Sequence, residues 1–70
     1  MIDIGKVIED ELRRQDRTVV WLARQLGCHR TFVYSIFGKQ SIDTTLLLRI
    51  SRILGRNFFL LYCDELDEVS

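Results

Sequence analysis

Arg30, Thr31 and Ser35 carry the side chains of this chain best suited to reading another molecule. Residues 30 to 37 are predicted to be helical, which puts the Arg30 guanidinium on the first turn and the two hydroxyls one turn apart on a single face. A guanidinium donates two parallel hydrogen bonds, a pattern matched by O6 and N7 of guanine in the DNA major groove, and a threonine methyl matches the thymine methyl. Phe32 and Tyr34 flank that face, and the free amides and dipole of the first helical turn favour phosphate.

The other reactive groups point to less. Cys28 and Cys63 are far apart with no CxxC, and the sole histidine, His29, adjoins Cys28, so a tetrahedral zinc site would be short of ligands and no metal or other cofactor is expected. Both cysteines read as buried core thiols rather than a disulfide. His29 has no paired nucleophile, and the carboxylates fall in helical surface runs, so an enzyme is not expected either.

Elements able to position Arg30, Thr31 and Ser35 follow from composition and spacing. The chain has 70 residues, near the lower end of what buries a self-sufficient core, which leaves room for one domain and no large cleft. Apolar residues make up 47% of it and proline is absent, so uninterrupted helices are favoured over turn-rich β structure or disorder. With no run of about 18 apolar residues and no basic start leading into an apolar stretch, a cytoplasmic location is expected.

Apolar periodicity yields five helical segments and thus an all-α domain. The first, Ile4 to Gln15, places Ile4, Val7, Ile8 and Leu12 on one stripe and Glu9, Asp10, Arg13 and Arg14 off it, with Asp3 as its expected cap and Gln15, Asp16 and Arg17 as its polar end. Thr18 is the expected cap of a second helix with Leu22, Ala23 and Leu26 turned inward. Ala23 permits a close helix crossing, and Gly27 supplies the positive φ that ends the helix. Cys28 then plugs the corner, His29 occupies the cap position, and the third helix, Arg30 to Phe37, buries Val33, Ile36 and Phe37 up to a stop at Gly38. Trp21 reads as a packing residue, and Val19 as a tolerated exposed one.

Beyond the polar loop of Lys39, Gln40 and Ser41, Asp43 or Thr44 caps a fourth helix ending at Gly55, in which Leu46, Leu47, Ile50 and Leu54 face the core and Arg49 and Arg52 face solvent. A fifth segment opens at Asn57 and continues FFLLYCDEL, so apolar residues crowd nearly every side of it. Either it completes the core, or Phe58, Leu61 and Tyr62 face a second subunit. Residues 64–70 read as an acidic, frayed tail of the single domain.

Net charge is zero, yet its distribution is uneven: residues 1 to 12 sum to −3, 13 to 39 to +5, 40 to 56 to +2 and 57 to 70 to −4. Phosphate attraction acts over a screening length of about 8–10 Å, so the local basic segment counts for more than the molecular sum.

Thr18, Leu22, Ala23, Leu26, Gly27, the small apolar Cys28, Val33 and Ile36, followed by a loop and LLLRISRILG, together resemble the lambda-repressor-like, or Xre-type, helix-turn-helix regulators of bacteria and phage. The likeness runs over residues 4 to 62. It implies a compact five-helix DNA-binding domain with its helix-turn-helix at 18–37, dimeric binding to palindromic operators, and repressor-type regulation. Carried onto this chain, it implies base contacts by Arg30, Thr31 and Ser35 with Tyr34 and Phe32 beside them, and phosphate contacts by Thr18, Arg17, Lys39 and Gln40. The chain departs from the pattern at Val19, Val20 and Trp21, where relatives carry Gln and Glu, and in a short loop after Gly38 without proline.

Two function classes compete. One is a sequence-specific transcriptional regulator bound to double-stranded DNA as a homodimer, favoured by the basic segment and the Arg30/Thr31 pair. The other is a protein-interaction or antitoxin-like module that keeps the fold without specific readout, favoured by the neutral total and by Phe32, an aromatic on the outward face.

Overall fold

The computed structural model describes residues 2–69 as five helices: α1 (Ile4–Arg14), α2 (Val19–Leu26), α3 (Arg30–Phe37), α4 (Thr44–Leu54) and α5 (Phe59–Val69), with no strand among the described residues. The all-α class and the order of the five expected segments are therefore what the chain adopts. α2 packs on α3 and α4, and α1 packs on α3. Their apolar stripes close around a core that includes Ile4, Ile8, Leu22, Val33, Ile36, Ile50 and Phe58, none of which is exposed. Val7, Phe37 and Leu46 lie half-buried at its rim instead of inside it, and Val19 and Trp21 pack there too.

Helix ends follow the local chemistry closely. Thr18, Asp43 and Asn57 accept from the backbone amides of Trp21 (3.0 Å), Leu46 (2.7 Å) and Phe59 (3.1 Å). Gly27 and Gly55 take φ of 71° and 66°. At Gly27 the Cys28 amide returns to the Ala23 carbonyl and the Gly27 amide to that of Arg24, the paired hydrogen bonds of a Schellman ending. α1 ends the same way without glycine: Asp16 sits at φ 57°, with Arg17 donating to the Leu12 carbonyl and Asp16 to that of Arg13. Aspartate is one of the few residues with a side chain that tolerates this conformation.

Several expectations are corrected. Asp3 precedes α1 but makes no side-chain cap, because the free amides there are already taken by another part of the chain. Arg49 is exposed as expected, and its guanidinium in addition donates to the Leu26 carbonyl (2.7 Å), tying α4 to the end of α2. Cys63 is exposed and Cys28 half-buried, so Cys63 is no core thiol. Phe58 is wholly enclosed under the Arg56 guanidinium (5.2 Å), which removes it from any surface offered to a second subunit; Leu61 and Tyr62 are half-buried against the core. The acidic segment from Asp64 continues the helix as far as Val69, because the chain has no breaker there; Ser70 lies outside the described residues.

The first amides of α1 are taken by the loop after α3. Gly5 donates to the Lys39 carbonyl (3.0 Å) and Ile4 to that of Gln40 (3.4 Å). A Cβ at Gly5 would stand 2.2 Å from the Ile36 carbonyl oxygen and 2.7 Å from those of Lys39 and Phe37. Only glycine lets α1 approach this closely, since backbone carbonyls cannot swing aside. Gly5→Ala is expected to lower stability by about 2 kcal/mol or more, outweighing alanine's better helix propensity. A urea-unfolding midpoint equal to or above the wild-type value contradicts this.

At its other end α1 buries a charge. Glu11 is only 3% exposed and accepts from Arg14 Nε (2.9 Å), Gln15 Nε2 (2.8 Å) and, across the molecule, Arg56 Nη1 (2.9 Å). Gln15 Nε2 also donates to the Leu54 carbonyl (2.6 Å), so Glu11 of α1 and its C-cap Gln15 together clasp the end of α4 and the residue just beyond it. Hydrogen bonding by Arg14 above all, then by Gln15 and Arg56, outweighs burial and holds the Glu11 carboxyl at about 2, down from an ordinary 4.5. The ionised form is thus favoured on folding, so its contribution is complete above pH 4.5 and fades as pH falls toward 2. Glu11→Gln should cost roughly 2–3 kcal/mol at pH 7, less than a fully enclosed pair because Arg14 and Arg56 reach solvent. Denaturant titrations should show the gap between variant and wild type narrowing steadily between pH 4.5 and 2; a gap constant across that window refutes the assignment.

Candidate nucleic-acid interface

The α2–α3 unit is built to hold one face of α3 outward. Gly27, Cys28 and His29 form the turn between the helices, and Leu22, Ala23 and Leu26 meet Val33 and Ile36 in the shared core. Ala23 is 4% exposed, as a close crossing requires. With Val33 and Ile36 inward and Phe37 at the rim, Arg30, Thr31, Phe32, Tyr34 and Ser35 are all exposed. The structure thus brings the five expected base readers onto one short helix. Phe32 is 41% and Tyr34 59% exposed, and the Tyr34 ring meets that of Phe37 edge-on (centroids 6.2 Å apart, planes at 89°).

His29 caps α3 with its ring. The Thr31 amide donates to Nδ1 (3.2 Å), and the Thr31 hydroxyl lies against the same nitrogen. A poor cap by residue statistics therefore acts as an effective one here. Ser35 hydrogen-bonds its hydroxyl back to the Phe32 carbonyl (2.6 Å), the local habit of a helical serine.

The expected phosphate contacts lie on the flanks of the unit. Thr18 spends its oxygen lone pair on the Trp21 amide, which leaves its hydroxyl hydrogen and the first-turn amides of Val19 and Val20 without acceptors among the described residues. Arg17 lies over the Trp21 ring, its guanidinium carbon 4.5 Å from the centroid, so Trp21 both packs on the core and steadies a cation at the start of α2. Lys39 and Gln40 are exposed, but their carbonyls are fixed by Gly5 and Ile4, so the loop that carries them is anchored to α1.

Charge sorts by element. On α1, Arg13 pairs with Glu9 (3.2 Å) and Arg14 with Glu11, and Arg56 is drawn to Glu11 as well. Among the described residues Arg17, Arg24, Arg30 and Lys39, on α2, on α3 or in a flanking loop, have no carboxylate partner, and neither do Lys6 on α1 or Arg49 and Arg52 on α4. Part of the +5 read from residues 13–39 is thus cancelled on α1, and the remainder lies on the α2–α3 unit and its flanking loops. Arg24 and Arg30 line a common cleft with Val20, Ala23, Cys28 and His29.

Sequence reasoning missed Arg24, which carried no motif signal, and the hydroxyl orientations at Thr31 and Ser35, which depend on placed side chains. No group of His, Cys, Asp and Glu side chains that could hold a metal ion occurs among the described residues, and no helix there is long and apolar enough to cross a membrane.

Fold and site together define an all-α, five-helix domain with a short-helix pair that displays an unpaired basic and hydroxyl-bearing face. No protein family, no curated protein and no solved structure matches the chain.

Proposed function

We propose that this chain is a sequence-specific DNA-binding transcriptional regulator of the lambda-repressor-like kind, a repressor that inserts α3 into the major groove. The observation that carries this reading is the company α3 keeps: its outward side chains include a free guanidinium and two hydroxyls, and Arg17, Arg24 and Lys39, which have no carboxylate partner among the described residues, lie on α2 or in the flanking loops. In this reading Arg30 binds guanine O6 and N7, Thr31 and Ser35 meet neighbouring base edges with Tyr34 and Phe32 beside them, and Arg17, Thr18, Lys39 and Gln40 hold phosphates. A helix of eight residues spans few base pairs, so useful specificity calls for two copies on a palindromic site. Leu60 and Leu66, 58% and 69% exposed on α5, offer apolar surface for the second copy in place of the buried Phe58.

Exposed Phe32 and Tyr34 favour a second reading, a protein-binding module that displays aromatic rings on this same face.

Salt separates the two. Binding through phosphates predicts that log affinity falls with log salt by about 0.9 per phosphate neutralised. Lys39→Ala should weaken all sequences alike and reduce that slope by about one, whereas Arg30→Ala should cost about 1–3 kcal/mol at a single guanine and relax preference there. Selection from random duplexes at low salt, followed by titrations on the selected site, measures all of this. Equal losses from both changes on every sequence would remove Arg30 from base readout, and the absence of any enriched motif would leave the protein-binding reading.

A further inference from the structure

Hydroxyl groups are ambiguous readers, since each has one hydrogen to donate and two lone pairs to accept with. On α3 the ambiguity is resolved by neighbours. The Thr31 amide donates to His29 Nδ1 (3.2 Å), and because an amide can only donate, Nδ1 carries a lone pair and the ring hydrogen of the neutral imidazole sits on Nε2. The Thr31 hydroxyl lies against that same Nδ1 and therefore turns its hydrogen toward it. Ser35 sends its hydrogen to the Phe32 carbonyl (2.6 Å). Both exposed hydroxyls, one turn apart, have spent their hydrogens inward and face outward with lone pairs.

We propose that His29 sets the hydrogen-bond polarity of Thr31, so that Thr31 and Ser35 both present acceptors and read the exocyclic amino groups of adenine or cytosine. This rests on the proposal that α3 reads DNA. In the major groove adenine N6 and cytosine N4 are the donors, whereas guanine and thymine offer O6, N7 and O4 as acceptors. Arg30 supplies donors, so α3 divides the work: guanidinium to guanine, hydroxyl oxygens to amino-bearing bases. An A·T pair suits Thr31 doubly, with an amino hydrogen for its oxygen and a thymine methyl for its own.

The test selects random duplex DNA with the full chain at pH 8. Thr31→Val, selected in parallel, marks the base position that Thr31 contacts, and Ser35→Ala marks the other. At pH 8 the wild type should favour A or C over G or T at the Thr31 position by about tenfold. His29→Ala, which removes the acceptor, should lose that preference at the Thr31 position while the Ser35 position keeps its own. His29→Asn, whose side-chain oxygen also accepts, should keep the A or C preference at the Thr31 position. A G or T preference in the wild type, or a preference at the Thr31 position unchanged in His29→Ala, overturns the proposal. Nitrogen-15 shifts of the His29 ring supply a readout without DNA: Nε2–H at pH 8 is expected, and Nδ1–H overturns the polarity assignment directly. If the ring is Nε2–H yet no protein enriches any motif, the DNA-reading proposal has failed and the base assignment falls with it; a motif alongside Nδ1–H refutes the polarity alone.

Discussion

Short helices leave many backbone groups unpaired, and in this domain that constraint governs how the helices dock. An α-helix leaves its first four amides and last four carbonyls without internal partners. Helices of 8 to 11 residues are therefore mostly ends, and the chain settles its ends partly with local caps and turns and partly against one another. The first-turn amides of Ile4 and Gly5 in α1 bind carbonyls just after α3, Gln15 at the C-cap of α1 binds the last carbonyl of α4, and Arg49 of α4 binds the last carbonyl of α2. Apolar burial supplies the general attraction, but it is non-directional. Hydrogen bonds at the ends fix the angle and depth at which each helix arrives.

The same constraint places the candidate site. α3 is held at both termini by groups outside it: the Schellman turn at Gly27 and the His29 cap set where it starts, and Gly5 of α1 grips the loop where it stops. Between those anchors its inner residues are wholly buried, so its outer residues have little freedom to rotate away. Glu11 secures the far end of α1, through Arg56, to the segment that follows α4. Loss of that clasp would loosen α1, and with α1 the grip on Lys39 and Gln40. A carboxylate distant from the outward face of α3 thereby belongs to its scaffold.

How much of this the sequence revealed depends on whether the determinant is local. Thr18, Asp43, Asn57, Gly27 and Gly55 were legible because a cap or a positive φ is chosen by neighbours within a few residues. The inward stripes of α2 and α3, and so the outward placement of Arg30, Thr31 and Ser35, were legible from period alone. Asp3, Gly5, Glu11, Arg49 and Phe58 were not. Glu11 and Gln15 occupy the buried side of α1, but a charged residue in a helix reads as solvated until its partner 45 positions away is brought beside it. Gly5 in a helix looks like a weakness until the carbonyls it approaches are in place. Asp16 adopts a glycine-like conformation that its type permits but does not announce.

A formal charge of zero would ordinarily weigh against a nucleic-acid partner, but what matters is which charges are already spent. The acids of α1 neutralise Arg13 and Arg14 along the same helix, and Glu11 reaches across to Arg56. Cations of the α2–α3 unit have no such neighbours, so the field near α3 is more positive than the total suggests, while the acidic residues of α5 keep the long-range attraction small. A protein so arranged would gain little from phosphates at a distance and would depend on contacts made only at close range. In the proposed DNA-reading role, that would shift the demand onto base edges, where the direction of a single hydroxyl hydrogen decides between attraction and an unpaired polar group.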